Sequence, residues 1–495
     1  MTSKHTGLKG CAAALAVAIS ATLLVTTMPI PSDVLGFPLP LAQSPHVTLV
    51  KYEWKDGAPM IVARASPAVI VLQDGNVFVI GGTTLTGPTA TTEVFDVKSG
   101  AWKPGPTMNT KRVGHTATLL NDGSVLVVGG DTGVGATSTA EILNASSGAA
   151  SVVPSMSFAR SGHAAALLRD GRVLVTGGSD WVTGTWKQAE MFDRSTLKWT
   201  PAGSMSTSRV FFSMHLLGDG TALAIGGEDG ATSERYNATT NSWGLVSKMT
   251  APRYHFASAH TSVGILVTGG LISDVPVNTS EMFSETANSW KAVGNMSAAR
   301  AKISLQPLPN GDLLTEGSSS SLGMTSSAEI FYPETALWQD AEPMKTARGA
   351  YGSASLPNGS VIVVGGKSGA GTTSLVEIYS PVTYEPDRPL QPIDLVPFVE
   401  AATELPGNSA DGLIAKLVAA QAKYDSGNFS VCLNIMHAFY NQVRAFASNE
   451  QMTREHASSI YDGYVSVIEG LGGTPDHPFF EMTLLSVIMF VIRLR

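Results

Sequence analysis

Seven arginines stand at near-regular intervals, Arg64, Arg112, Arg160, Arg209, Arg253, Arg300 and Arg348, each four residues after a methionine. Seven glutamates keep the same time: Glu93, Glu141, Glu190, Glu234, Glu281, Glu329 and Glu377. Cations and acids in equal number could line a funnel for a polyanion, or each arginine could pair with a glutamate inside a structural unit. The repetition favours ion pairs, because a residue used in every unit is most economically explained by what every unit needs. His115 and His163, each three residues after its arginine, belong to the same repeat.

Chemistry peculiar to this chain is better sought where the repetition breaks. The stretch "SDWVTGTWKQ" sets Trp181 and Trp186 beside Asp180, a grouping that could stack a sugar ring, grip a partner's apolar side chain, or simply cover the fold. Glu228 and Asp229 in "GGEDGATS", Tyr254 and His255 directly after Arg253, then Asp274 and Lys367, would together line a shallow polar mouth. None of these forms a nucleophile triad, a two-histidine metal spacing or a carboxylate pair that spacing alone identifies, so no catalytic residue, metal site or cofactor is assigned. The two cysteines are Cys11 and Cys432; loss of an N-terminal leader would leave Cys432 alone, which excludes an intrachain disulfide and a thiolate zinc site.

Composition narrows the class. A net charge of -8 without any basic block argues against a nucleic-acid partner. Only 15% of residues are charged and 50 are glycine, which points to a turn-rich β protein. Lys4 and Lys9 precede an uncharged stretch that is strongly apolar from Cys11 to Val25, as in a secretory leader. Residues 1–43 read as a signal peptide cleaved near Ala42, or as an uncleaved signal anchor that would be the chain's one tie to a membrane. The expected location is outside the cell or on its surface. Cys11 precedes the apolar run rather than following it, which argues against a lipoprotein.

What must position these residues is a repeat of about 48 residues. Apolar runs end in glycine doublets at Gly81-Gly82, Gly129-Gly130, Gly177-Gly178, Gly226-Gly227, Gly269-Gly270 and Gly365-Gly366, with Glu316-Gly317 read as a degraded copy. A phosphate loop occurs once and opens a helix; these doublets recur and lead into further short β-like runs, so they are architectural. Nine residues after the glutamate comes Trp102, Trp199, Trp243, Trp290 or Trp338, with Ala150 as the exception. This combination resembles the kelch repeat, each copy of which forms one four-stranded blade of a β-propeller. The expected fold is all-β, a seven-bladed β-propeller over residues 44–383, followed by a small all-α domain.

The final copy, with Glu377, lacks its tryptophan and its methionine–arginine pair, while "YEWKDGAPMIVAR" near the start carries Trp54, Met60 and Arg64 at the right spacing with no glycine doublet before it. The N-terminal segment should therefore supply the outer strand of the seventh blade and close the ring. Within a blade, Asp-Gly or Asn-Gly pairs such as Asp74-Gly75 and Asp122-Gly123 suit a type I′ turn. Up-and-down strands put the loops after the doublets and the connectors carrying the arginines on one face, and the Asp-Gly turns on the other. Ligand contacts are expected on the first face, whose loops are longer and vary more.

Prolines at 386, 389, 392, 397 and 406 mark a stiff linker over residues 384–408. Helical periodicity follows in three stripes: Leu413, Leu417 and Tyr424; Cys432, Ile435, Met436, Phe439, Val443 and Phe446; Ile460, Tyr464, Val467 and Leu471. Residues 409–472 thus read as three helices, and the segment resembles the FIMAH-like helical domains of exported bacterial proteins. An apolar tail over 473–495 is too short to span a bilayer comfortably. Galactose oxidase is similar in its seven kelch blades, but the copper radical site that resemblance would bring needs a tyrosine cross-linked to a cysteine, and the propeller has no cysteine. Sialidase boxes are absent, and the kelch sialic-acid mutarotases have six blades. The function expected is that of a recognition scaffold for a protein or glycan; the alternative is a carbohydrate-active or sugar-isomerising enzyme with its site in the central mouth.

Overall fold

The computed structural model describes residues 49–228, 230–320, 323–384, 409–425, 429–448 and residue 460. The leader, most of the linker, most of the third helical stripe and the apolar tail lie outside the described residues. Within them, seven four-stranded antiparallel sheets follow one another as blades. Blade one is Ala68–Val71, Val77–Ile80, Thr92–Asp96 and Ala101–Pro104, in that spatial order. The first strands of neighbouring blades touch each other, so they surround the axis and the fourth strands form the rim.

This arrangement explains why the second strands read as unbroken apolar runs. Both faces of each sheet are covered by the next blade, so every residue of Val77–Ile80, Val125–Val128 and Val361–Val364 is buried. Alternate side chains serve different interfaces: Phe78 and Ile80 pack with Val125 and Val127 of blade two, whereas Val77 and Val79 pack with Ile362 and Val364 of blade seven. Each such side chain contributes roughly 1.5–3 kcal/mol by leaving water.

The seam closes as the sequence implies. Leu49–Gly57 runs antiparallel to Val376–Tyr384, with Leu49 opposite Tyr384, Trp54 opposite Tyr379 and Asp56 opposite Glu377. The Trp54 and Tyr379 rings lie 5.0 Å apart, matching Trp102 on Phe95 at 5.0 Å and Trp290 on Phe283 at 5.2 Å. Blade two, which lacks the tryptophan, pairs Ala150 with Leu143 instead, so both members of the contact change together. Strand direction places Leu49 and Tyr384 on the face of the Asp-Gly turns, and the chain both enters and leaves the wheel there.

The arginines and glutamates form seven buried clamps. Arg64 Nη2 lies 2.6 Å from Glu93 Oε1, Arg112 2.7 Å from Glu141, Arg160 3.1 Å from Glu190, and Arg209, Arg253 and Arg300 each 2.9 Å from Glu234, Glu281 and Glu329; Arg348 pairs with Glu377. Nη1 of each arginine also donates to the carbonyl of the first doublet glycine, as in Arg112 to Gly129 at 2.7 Å. The glutamate accepts backbone N–H groups from the connector, Ile61 and Val62 in the case of Glu93. Each clamp thus ties the connector leaving one blade to the third strand of the next. With the guanidinium groups 0–1% exposed, no polyanion funnel exists on this ring.

Two details depart from the sequence reading. The Asp-Gly hairpins are not type I′ turns: Gly75, Gly123 and Gly171 have positive φ, but Asp74, Asp122 and Asp170 do not. Gly75 N–H donates to Leu72 O and Leu72 N–H to Asn76 O, the bonds of a type I turn closed by a glycine bulge, while Asp74 accepts from the Asn76 N–H. The degraded doublet is also displaced by one residue. Arg300 Nη1 donates to Gly317 O, as Arg64 does to Gly81 O, so Gly317-Ser318 are the doublet positions. Glu316 therefore ends the second strand, where the other blades have Ile80, Val128, Thr176, Ile225, Thr268 and Val364.

Glu316 is fully buried between blades six and seven. Ser304 Oγ donates to its Oε1 at 3.0 Å while Oε2 has no partner, and the first strand of this blade shrinks to Gln306–Pro307. Burial raises its carboxyl to about 7.

Beyond the propeller, helices Ser409–Asp425 and Phe429–Ser448 pack together through Leu413, Leu417 and Ala420 against the stripe of Cys432, Met436, Phe439 and Val443, all buried. Two of the three expected helices are described; of the third stripe only Ile460 is, and it is helical and buried.

Removing one clamp cation leaves a buried carboxylate unpaired. Arg209→Met is expected to cost about 3–5 kcal/mol, read as a lower midpoint in denaturant unfolding; a loss below about 1 kcal/mol would show the clamps to be dispensable. Because the folded state holds the Glu316 proton more tightly than the unfolded chain, where its value is 4.5, this residue's stabilising contribution is complete below pH 4.5 and fades as pH rises through about 7. Glu316→Gln should flatten that part of the stability–pH curve, and an unchanged slope would remove Glu316 as its source.

Candidate functional site

Two residues beyond each clamp arginine, just before the first strand of the next blade, the backbone turns left-handed. Ser66, Gly114, Gly162, Phe211, His255, Lys302 and Ala350 have φ between +48° and +66°. They form a collar on the loop face. Gly162 N–H donates to Gly114 O, Phe211 to Gly162, His255 to Phe211, Lys302 to His255 and Ser66 to Ala350, at 2.6–3.2 Å. A left-handed conformation costs an L-residue roughly 1–2 kcal/mol, so glycine is the natural occupant. Three adjacent positions instead carry an aromatic ring, an imidazole and a cation. The collar is lopsided, bulky at blades four to six and small elsewhere.

The bulky side chains build a strip of rings. Trp181, at the tip of the blade-three loop and 47% exposed, stacks on Phe211 with centroids 5.7 Å apart and planes at 28°. Phe211 stacks on His255 at 3.9 Å, and His255 lies 5.5 Å from the ring of its neighbour Tyr254. The Tyr254 hydroxyl donates to Asp274. Asp274 and Ser273 both have positive φ in a two-residue hairpin between Leu271–Ile272 and Val275–Pro276, so this chain does use a type I′ geometry, at the mouth rather than in the blade hairpins.

Charge is distributed unevenly along the strip. Burial lowers His255 to about 4, with the Lys302 ammonium adding to the effect, so the imidazole is neutral at physiological pH. The hydrogen bond to Asp274 is the main cause that raises the Tyr254 phenol to about 12, and the negative charge of Glu228 contributes. Acids therefore govern the Tyr254 end and a cation the flank of His255.

The expected site residues separate into groups. Trp181, Glu228, Tyr254, His255 and Asp274 come together on blades three to five. Asp180 shapes the loop: its carboxylate accepts the N–H groups of Val182, Thr183 and Gly184 and the Thr183 hydroxyl, the last being the chief reason it sits at about 2. Trp186 does not pair with Trp181; its indole N–H donates to Ala159 O at 2.9 Å and its ring tilts on Phe158, covering the connector into blade three. Lys367 is exposed on blade seven, with its backbone bridged to Gly349. Asp229 lies outside the described residues. The doublet residues Gly82, Gly130, Gly178, Gly227, Gly270 and Gly366 are structural: all have positive φ, and an added Cβ at Gly82 would meet Ala65 O at 2.6 Å.

Phe211 and Lys302 are additions the sequence reading missed. A signal for them exists, since counting two residues past each arginine yields small residues in four copies and Phe211, His255 and Lys302 in the other three.

Comparison with known proteins agrees with this architecture. A family model described as the Kelch motif matches residues 64–109, from one clamp arginine to the connector entering the next blade. The chain is thus a seven-bladed β-propeller carrying a Kelch motif. A fungal alcohol oxidase of the AA5 family, solved in complex with copper, superposes with a TM-score of 0.54 over 67% of this chain and 76% of its own, at 16% identity, a likeness of fold. Comparison with curated protein sequences gives no match.

A Cβ added at Gly162 would lie 2.9 Å from a Phe211 ring carbon and 2.8 Å from Val210. Gly162→Ala is expected to destabilise the fold by about 1–3 kcal/mol and to displace the ring stack, seen as a changed environment for Trp181 by fluorescence against a Trp181→Phe background. An unaltered spectrum would mean the stack does not depend on the collar.

Proposed function

We propose that this protein is an exported recognition scaffold that binds its partner on the loop face, along the strip from Trp181 to Asp274. One observation carries the reading: four rings from three consecutive blades are aligned at the mouth, and three of them, Trp181, Phe211 and His255, are held there in backbone conformations that disfavour bulky residues. Strain of that kind persists where the surroundings over-determine it and the side chain has a use.

The strip is suited to holding rather than transforming a ligand. His255 is neutral and sandwiched, with its basicity lowered to about 4, and the proton of Tyr254 is committed to Asp274. The copper of the similar oxidase finds no matching donors here. Among the described residues no three of His, Cys, Asp and Glu converge, and the propeller has no cysteine. The leader supports secretion or surface display, and the C-terminal helices are read as an attachment or assembly module.

An array carrying both peptides and glycans, probed with the full chain, tests this role. Binding is expected to fall at least about tenfold in Trp181→Ala and Phe211→Ala and to persist in Val152→Ala, on the outer strand of blade two. Equal binding by all three variants would move the ligand away from the strip.

A further inference from the structure

We infer that the strip receives an extended, apolar segment of polypeptide bearing a basic residue, and not a glycan; this rests on the binding role proposed above. The first ground is the rim. Val182, beside Trp181, is 87% exposed, and Val275, beside Asp274, is 60% exposed, so both ends of the strip are flanked by bare aliphatic side chains. Leu85, Val134 and Met324, on the corresponding loops of blades one, two and six, are exposed as well. A face with apolar tips on five blades suits a partner that can bury them, which protein side chains do and hydroxylated sugar rings do not.

The second ground is charge. Asp274 and Glu228 are exposed carboxylates, and both raise the Tyr254 phenol, so the potential at that end is negative. A neutral sugar would leave these charges uncompensated and an acidic one would be repelled. A guanidinium or ammonium group can lie against an aromatic face and pair with a carboxylate at its edge. The whole chain carries a net charge of -8, which favours the encounter. Lys302, beside His255, repels a second cation, so the segment's basic residue belongs at the Asp274 end and its apolar part over Phe211 and Trp181. The row of four rings, with centroid steps of 5.7, 3.9 and 5.5 Å, is spanned by about four or five extended residues.

Titration calorimetry on the full-length protein tests this with four probes: a pentapeptide of four valines ending in one arginine, its counterpart ending in glutamate, cellopentaose and a galacturonate pentamer. Only the basic peptide is expected to bind. Its affinity should fall at least about tenfold in Trp181→Ala and in the Asp274→Asn, Glu228→Gln double variant, weaken with added salt, and rise about tenfold in Lys302→Glu. Binding of a glycan with the same dependence on Trp181 would overturn the ligand class while leaving the binding role intact. Binding of the basic peptide that ignores both Trp181 and the acids, or no binding by any probe, would overturn the inference.

Discussion

Everything in this propeller depends on an arginine buried without solvent. A guanidinium has five donors and no way to shed its charge, so it can be enclosed only where acceptors meet it in its own plane. Each blade provides a glutamate on the third strand, the carbonyl of the first doublet glycine and the carbonyl two residues before the glutamate; for Arg64 these are Glu93, Gly81 and Thr91. The requirement propagates outward. The first glycine of a doublet lies under the next connector, where a Cβ would strike the arginine carbonyl, at 2.7 Å for Gly81 and 2.5 Å for Gly129. Glycine, glutamate and arginine are thus three positions of one constraint, which is why they keep time over so much of the chain.

Much of this was legible from spacing alone, because a repeat converts one physical demand into seven observations. Trp54, Met60 and Arg64 announced the closing strand since they fill the vacancy left after Glu377, and the register bears this out. The hairpin type was misread because an Asp-Gly pair serves two loop lengths equally well. The choice is made by the ladder, where Leu72 bonds to Asn76, and not by the dipeptide. Glu316 was aligned by letters onto a glycine position; the hydrogen bond from Arg300 shows the true register and leaves a carboxyl in a slot otherwise apolar or threonine.

The candidate site was only partly visible for a related reason. Tyr254 and His255 stand out as polar residues after a clamp arginine, whereas Phe211, in the place equivalent to His255, is apolar and passes unnoticed. Its role comes from a positive φ and from its neighbours in two other blades, neither of which a single stretch of sequence displays. Trp186 shows the opposite error: close in sequence to Trp181, it faces a different aromatic ring and a different connector.

The paired ends of the chain have a mechanical consequence. Leu49 and Tyr384 are partners at the open end of one antiparallel ladder, so the chain joins that ladder at both ends on the same face. Tension between those two residues would load that ladder as a zipper rather than in shear, parting one residue pair at a time from Leu49–Tyr384 toward Gly57–Val376. Blade seven would yield first under force, and the other six clamped blades would feel little until it had opened.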